Sequence, residues 1–264
     1  MRKDTKKMDS SNESEKEILY LDCETWSSDW ENAINEAQPH FSRMEPPTFH
    51  CVLPIPGQNE TLTFYNADQC YHSRNRTLTT LQHKEEAALF QDYDVTCQVL
   101  DRLGDFLKRR NPMISDNFVL FPLHAPKHSI WLNPLSIVEI KEKENQTFIE
   151  MASGPGLIVR VRKQTIVNYS ANALLAYACS KRDFSGGTPL QGEQPLDIIS
   201  LSNTKFANQI SKKHKLQKFK IPAGDYRTAF FSESIFNYFL NLMKYADLEG
   251  LTVERLSELL AAYK

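Results

Sequence analysis

Asn117-Phe118-Val119-Leu120-Phe121-Pro122-Leu123-His124-Ala125-Pro126-Lys127, with Ile130-Trp131-Leu132 close behind, is the stretch on which the fold turns. Phe118 to Phe121 is an unbroken apolar run bounded by turn formers, and it reads as a short strand buried on both faces. Pro122 removes a ladder donor, so the strand stops or becomes an edge there. Pro126 makes a second break. The chain then leaves the sheet carrying His124, Lys127 and His128 on a stiff loop, before Trp131 resumes strand character. A buried strand running into a proline-fixed basic loop presents side chains to a partner.

Toward the N-terminus, Ile18 to Cys23, Thr48 to Ile55 and Thr61 to Tyr65 read as strands, the last two bracketing the turn Pro56-Gly57-Gln58-Asn59. Residues 66–86 are polar and read as loop. Ala88-Leu89-Phe90 reads as a strand, and Asp94 as the N-cap of a helix from Val95 that ends in Lys108-Arg109-Arg110, cations suited to its C-terminal dipole. A single helix over 85–110 competes with this, but Asp92 and Asp94 interrupt its apolar pattern.

Toward the C-terminus, Leu135 to Lys141 pairs with Thr147 to Met151 as a meander. The turn Ser153-Gly154-Pro155-Gly156 leads into Leu157 to Lys163, where Arg160 and Arg162 alternate with Val159 and Val161 and so share a sheet face. Ser170 caps a helix through about Arg182, with Leu174, Leu175, Ala178 and Cys179 as its apolar stripe. Beyond the Gly/Pro-rich stretch 186–195 come a strand (Leu196 to Leu201), a basic segment, another strand (Leu216 to Ile221) and a helix from Glu233 to Tyr245. Thr252 caps a last helix through Leu260, bearing Leu256 and Leu259. The pattern is α+β: a central, mainly antiparallel sheet with flanking helices and a helical C-terminal end. It divides into a disordered polar tail (1–17), an α+β domain (18–185) and a C-terminal basic segment with helices (186–264).

A chain of 264 residues buries a real core, and 41% hydrophobic with 24% charged residues is ordinary for a globular protein. No apolar run reaches the roughly 18 residues of a membrane span. Met1 to Glu17 lacks the apolar centre of a secretory signal. Five scattered cysteines without a Cys-x-x-Cys spacing suit reduced thiols in a cytoplasm and make no zinc site. The expectation is a cytoplasmic, non-membrane protein without a cofactor. Net charge is −2, yet Ile198 to Gly224 holds six lysines (205, 212, 213, 215, 218 and 220) and no acid, which leaves the remainder at −8.

That basic segment interleaves its lysines with Phe206, Leu216, Phe219 and Ile221, a pattern that packs apolar groups inward and turns ammonium groups toward phosphates. With Lys108 to Arg110, Lys127 and His128, and Arg160 to Lys163, it points to nucleic acid. The expected contact set is Lys108, Arg109, Arg110, Lys127, His128, Arg160, Arg162, Lys212, Lys213, Lys215 and Lys218. An ordinary solvated face is the plain alternative for any one lysine run. The last helices carry Asp247, Glu249, Glu254 and Glu258, which suits packing or partner binding better than insertion beside phosphates.

Two other function classes compete. Leu19-Tyr20-Leu21-Asp22-Cys23-Glu24-Thr25 resembles the first motif of metal-dependent 3′–5′ exonucleases, in which two carboxylates hold a divalent ion. Asp68, Asp101 or Asp183 could supply a further carboxylate, but none lies in a second exonuclease motif. The third class is a non-enzymatic protein-interaction or phage accessory factor.

Asn-Pro-Met-Ile (111–114), Phe-Val-Leu-Phe-Pro-Leu-His-Ala-Pro-Lys (118–127) and Ile-Trp-Leu (130–132) resemble the centre of the bacterial competence transcription factors, the ComK family, as does Gln98-Val99-Leu100-Asp101-Arg102. The resemblance spans roughly residues 86–185. It implies a non-enzymatic transcriptional activator that binds A/T-rich duplex DNA mainly from the minor groove and bends it. It also implies a homo-oligomer and an adaptor that delivers the protein to a Clp protease. The narrow, electronegative minor groove of A·T tracts attracts Arg and Lys, so the implication is physically coherent. Leu123 stands where the family pattern has threonine, and Lys108-Arg109-Arg110 where it has a longer Gly- and Arg-bearing loop.

Overall fold

The computed structural model describes residues 18–39, 49–65, 69–88, 91–185 and 192–246. In chain order they form β1 (Tyr20–Asp22), α1 (Ser28–Glu36), β2 (Gln38–Pro39), β3 (Cys51–Pro54), β4 (Thr61–Phe64) and β5 (Cys70–Ser73). Next come α2 (Thr77–Ala88), α3 (Tyr93–Leu103), β6 (Met113–Ile114), β7 (Val119–Pro122), β8 (Trp131–Leu132), β9 (Ile137–Lys143), β10 (Gln146–Met151) and β11 (Gly156–Val159). The chain continues with α4 (Lys163–Phe184), α5 (Pro195–Ile198), α6 (Lys205–Ile210) and α7 (Asp225–Ala246). The strands make a seven-stranded sheet, β2-β5-β4-β3-β8-β7-β6, and a four-stranded one, β1-β11-β10-β9. Among the described residues only β1–β11 and β2–β5 pair in parallel. The architecture is α+β, with mainly antiparallel sheets, flanking helices and a helical end.

β7 is the shared wall of two cores. Val119, Phe121 and Leu123 enter the larger one with Leu174 and Leu175 of α4, while Phe118 and Leu120 enter a second one with Phe49, Tyr65 and Trp131. Alternation along a strand sends successive side chains to opposite faces, so an all-apolar strand needs a core on each. Each such aliphatic or aromatic side chain contributes about 1.5–3 kcal/mol by leaving water. The strand does end at Pro122, and the Leu123 amide donates to the Ile130 carbonyl (2.9 Å), closing the basic loop.

Several elements differ from the sequence expectation. Residues 66–86 are not all loop, because they contain β5 and most of α2, and Ala88 ends that helix rather than opening a strand. Leu89 and Phe90 lie outside the described residues. Asp92, not Asp94, caps α3: its carboxylate accepts from the amides of Asp94 (2.8 Å) and Val95 (3.0 Å). α3 stops at Leu103, where Gly104 takes a left-handed φ of 76° that a side chain resists, so Lys108 to Arg110 belong to a loop. β11 stops at Val159, which takes Arg160 and Arg162 out of the sheet, and α4 starts at Lys163, with Ser170 buried inside it. Ile166 and Val167 are buried there, so tertiary packing pulls an apparently polar turn into the helix.

Neither C-terminal strand forms. Pro195 opens α5, helped by the Asp197 carboxylate accepting from the Gln194 amide (3.1 Å). Thr204 caps α6, its hydroxyl accepting from Ala207 (3.0 Å). His214–Leu216 is a single 3₁₀ turn, and α7 begins eight residues before Glu233. Phe206, Ile210, Leu216, Ile221 and Tyr226 join the same core as α4. The expected tail (1–17), most of the 186–195 boundary and the final helix at 252–260 fall on residues outside those described.

Candidate nucleic-acid interface

The first half of α4 collects two of the cationic segments. The Arg110 guanidinium lies 5.5 Å from the centroid of the Tyr169 ring and donates from Nη1 to the Leu123 carbonyl, so it ties the 104–110 loop to the end of β7. Lys213 donates to Asn168 Oδ1 (3.1 Å). Lys215 donates both to Asn172 Oδ1 (3.1 Å) and to the Asp105 carbonyl (2.9 Å). Asn168, Tyr169 and Asn172 stand one and four residues apart, hence on one side of the helix. The Lys215 ammonium therefore bridges the two loops directly. Half-burial holds its pKa below the ordinary lysine value, opposed by Asp105 and aided by Lys220.

Between the 107–110 loop, Tyr169 of α4 and the proline loop opens a cavity of about 660 Å³, lined by Leu107 to Arg110, Ala125, Pro126 and Tyr169. Lys108 and Arg109 are exposed, and Arg109 adopts a positive φ of 65°. That left-handed backbone is costly for a side chain with a Cβ. Across the cavity, Pro126–His128 forms a 3₁₀ turn with Lys127 and His128 exposed. The Trp131 indole N–H donates to the Pro126 carbonyl (3.2 Å), and the His124 amide donates to Ser129 Oγ (2.8 Å), which hold this turn against β8. Partial burial first, and Arg76 second, keep the His128 pKa below its usual value. His124 is lowered in the same way, by burial and then Arg110, against Glu24.

The third cluster is differently placed. Arg160 pairs with Asp22 (3.0 Å), and Arg162 sits on the rim of a hollow that Glu142 and Glu144 share. Glu142 Oε1 accepts the Lys163 amide (2.7 Å), so the anion-seeking start of α4 is already filled by the chain's own carboxylate. Arg162 is about 9 Å along the helix axis from Asn168 at 1.5 Å per residue. The cluster is near the other two but electrically mixed. Of the remaining lysines, Lys205 pairs with Glu139 (3.0 Å) and Lys220 lies 3.8 Å from Asp105, whereas Lys212 and Lys218 are exposed without an ion pair among the described residues.

Sequence reading missed Arg76, Asn168 and Tyr169. Arg76 precedes α2 in a stretch read as loop, and its Nε donates to Asn59 Oδ1 (2.9 Å). Tyr169 and Asn168 lie on the α4 turn that the sequence reading placed ahead of the helix. No motif marks any of the three.

Among the described residues the Asp22-x-Glu24 motif does not gather into an ion site, and Asp68, one of the candidate further carboxylates, lies outside them. Asp22 Oδ2 pairs with Arg160 and Oδ1 accepts the Glu24 amide (3.0 Å). Among the described residues no three His, Cys, Asp or Glu side chains stand close enough to hold a metal. Cys179 is buried, and burial first of all pushes its thiol up to about 12, away from nucleophilic use. No helix among the described residues is long and apolar enough to cross a membrane. No protein-family model, curated protein or solved structure matches the chain.

Proposed function

We propose that this protein is a non-enzymatic, DNA-binding transcriptional regulator that grips the backbone of A/T-rich duplex DNA, in line with its resemblance to the competence activators. The observation that carries the reading is the convergence of the 108–110 and 212–215 segments on one side of α4, with the loop that bears Lys127 across a cavity from the 108–110 segment. Lys108, Arg109, Lys127 and Lys212 have no carboxylate within ion-pair distance among the described residues, and Lys213 bonds only a neutral amide. Five phosphate contacts predict a log–log salt slope of about −4.5, or about a 500-fold loss of affinity between 50 and 200 mM salt.

Fluorescence anisotropy with labelled A/T-rich and G/C-rich duplexes tests this. Lys108→Gln with Lys212→Gln flattens the slope by about 2, while Arg160→Gln leaves it unchanged because that guanidinium already serves Asp22. A salt-independent signal, or equal affinity for both duplexes, overturns the reading. The same samples with Mg²⁺ or Mn²⁺ and an end-labelled strand report any nuclease activity.

A further inference from the structure

Protruding cations are enough to meet the phosphates of a duplex, and a flat surface provides them. The hollow between the 107–110 turn, Tyr169 and the proline loop is deeper than that. At about 660 Å³ it lies within the roughly 300–1,000 Å³ of small-molecule sites. Part of its lining is three consecutive cations, Lys108, Arg109 and Arg110, and the rest is apolar or aromatic, with Ala125, Pro126 and the half-buried ring of Tyr169. Among the described residues no carboxylate lines it.

The walls are held in place by the protein itself. The Arg110 guanidinium, 5.5 Å from the Tyr169 ring centroid, donates to the Leu123 carbonyl, which fixes both groups. The Trp131 indole N–H holds Pro126 by its carbonyl (3.2 Å). The Arg110 amide donates to the Leu107 carbonyl (3.4 Å), closing a turn whose third residue is Arg109, at a φ of 65°. Glycine or asparagine meets that backbone at less cost. Strain of this kind clusters at ligand clamps, and here it holds a cation against the cavity.

A guanidinium beside a tyrosine ring, next to two more cations, suits a planar base that carries phosphates. The ring and the guanidinium stack on the base, and Lys108 and Arg109 take phosphate oxygens. We infer that the cavity binds a free purine nucleoside polyphosphate, such as ATP or GTP, and that this ligand competes with duplex DNA for Lys108 and Arg109. The competition rests on the DNA-binding reading, whereas the binding does not. Among the described residues no Asn, Gln, Asp or Glu lines the cavity to read a base edge, so adenine and guanine are taken alike. The same lining offers no carboxylate for Mg²⁺, so binding does not need the metal.

Isothermal titration calorimetry of the full chain at fixed ionic strength, with EDTA present, tests the site. ATP and GTP bind within about threefold of each other, while adenosine and inorganic tripolyphosphate, each offering half of the ligand, bind at least about tenfold more weakly. Tyr169→Leu weakens ATP by about 5- to 150-fold, the contribution of one stacked base, and leaves tripolyphosphate unchanged. Ala125→Glu, at an exposed loop position, sets a carboxylate against the phosphates and weakens ATP by about tenfold or more. That variant carries the test if circular dichroism finds Tyr169→Leu unfolded. Arg160→Gln, whose guanidinium serves Asp22, binds ATP as wild type does. Tripolyphosphate bound as tightly as ATP makes the cavity a plain anion sink and overturns the inference, as does a lack of ATP binding. Labelled A/T-rich duplex gives the second readout, since ATP releases it and tripolyphosphate of equal charge does so far less readily. Bound duplex that saturating ATP fails to displace overturns the competition. ATP binding by a protein that binds no duplex supports the site and overturns the DNA-binding reading alone.

Discussion

Replacing Asp183 by alanine tests what anchors the C-terminal third to the rest of the molecule. Asp183 and its neighbour Arg182 are almost wholly buried at the end of α4. One carboxylate oxygen accepts from Arg182 Nε (2.8 Å), and the other takes the amides of Tyr226 (3.1 Å) and Arg227 (3.4 Å) at the start of α7. The guanidinium lies 4.3 Å from the Phe219 ring centroid and donates onward to the carbonyls of Ile221 (3.0 Å) and Pro222 (2.7 Å). A single ion pair thus secures the 219–222 segment and the first turn of α7. Asp183→Ala leaves a buried guanidinium without its counter-charge and two helix amides without an acceptor. Breaking one side of such a pair costs about 3–5 kcal/mol, and the orphaned cap pushes the sum toward the upper end. At about 2–4 °C per kcal/mol for a protein of this size, Tm falls by roughly 6–20 °C. Asp183→Asn keeps an acceptor for the amides and falls between wild type and alanine. Near-UV circular dichroism against temperature, with urea unfolding as a check, measures both. A fall in Tm below about 2 °C for Asp183→Ala refutes the reasoning, since it corresponds to no more than about 1 kcal/mol.

Arg109→Gly relieves the positive φ of that residue and raises stability by about 0.5–1 kcal/mol, while weakening duplex binding because a cation is lost. Unchanged or lower stability in urea argues against strain at this loop. His124 and His128 both have folded pKa values below the ordinary 6.5, so the unfolded chain takes up protons first. Stability is therefore full above pH 6.5 and declines as pH falls from there through the folded values. His124→Gln with His128→Gln flattens that part of the Tm-versus-pH curve, and an undiminished slope in the double variant shows that other groups carry it.

How much of this could be read beforehand depended on the range of the interactions involved. Phe118 to Phe121 announced a doubly buried strand because four apolar residues in succession leave no polar face to turn to water. Pro122 and Pro126 announced its end, since proline removes a backbone donor wherever it stands. Gly104, by contrast, ends α3 through a left-handed backbone that a lone glycine inside a helical pattern does not announce. The 216–221 segment looked like a strand from composition, yet its Ile221 carbonyl is taken by Arg182, thirty-nine residues away in sequence. Arg160 and Arg162 alternated with valines as a strand does, but Asp22 and Glu142 claim that corner of the molecule.

The candidate surface divides along the same line. The identity and local density of its cations were open to inspection in the sequence, because charge is a property of single residues. Which of them stand free was decided only in three dimensions. Lys205, Lys215, Lys220 and Arg160 are drawn to acceptors from distant elements, while among the described residues Lys108, Arg109, Lys127 and Lys212 are not. The sequence by itself determined the α+β class, the central strand and the basic loop, all consequences of periodicity and backbone chemistry within a few residues. Tertiary structure alone decided that α4 would gather two of the cationic segments on one side. Coulomb energy and hydrogen bonding depend on distances that no spacing along the chain specifies.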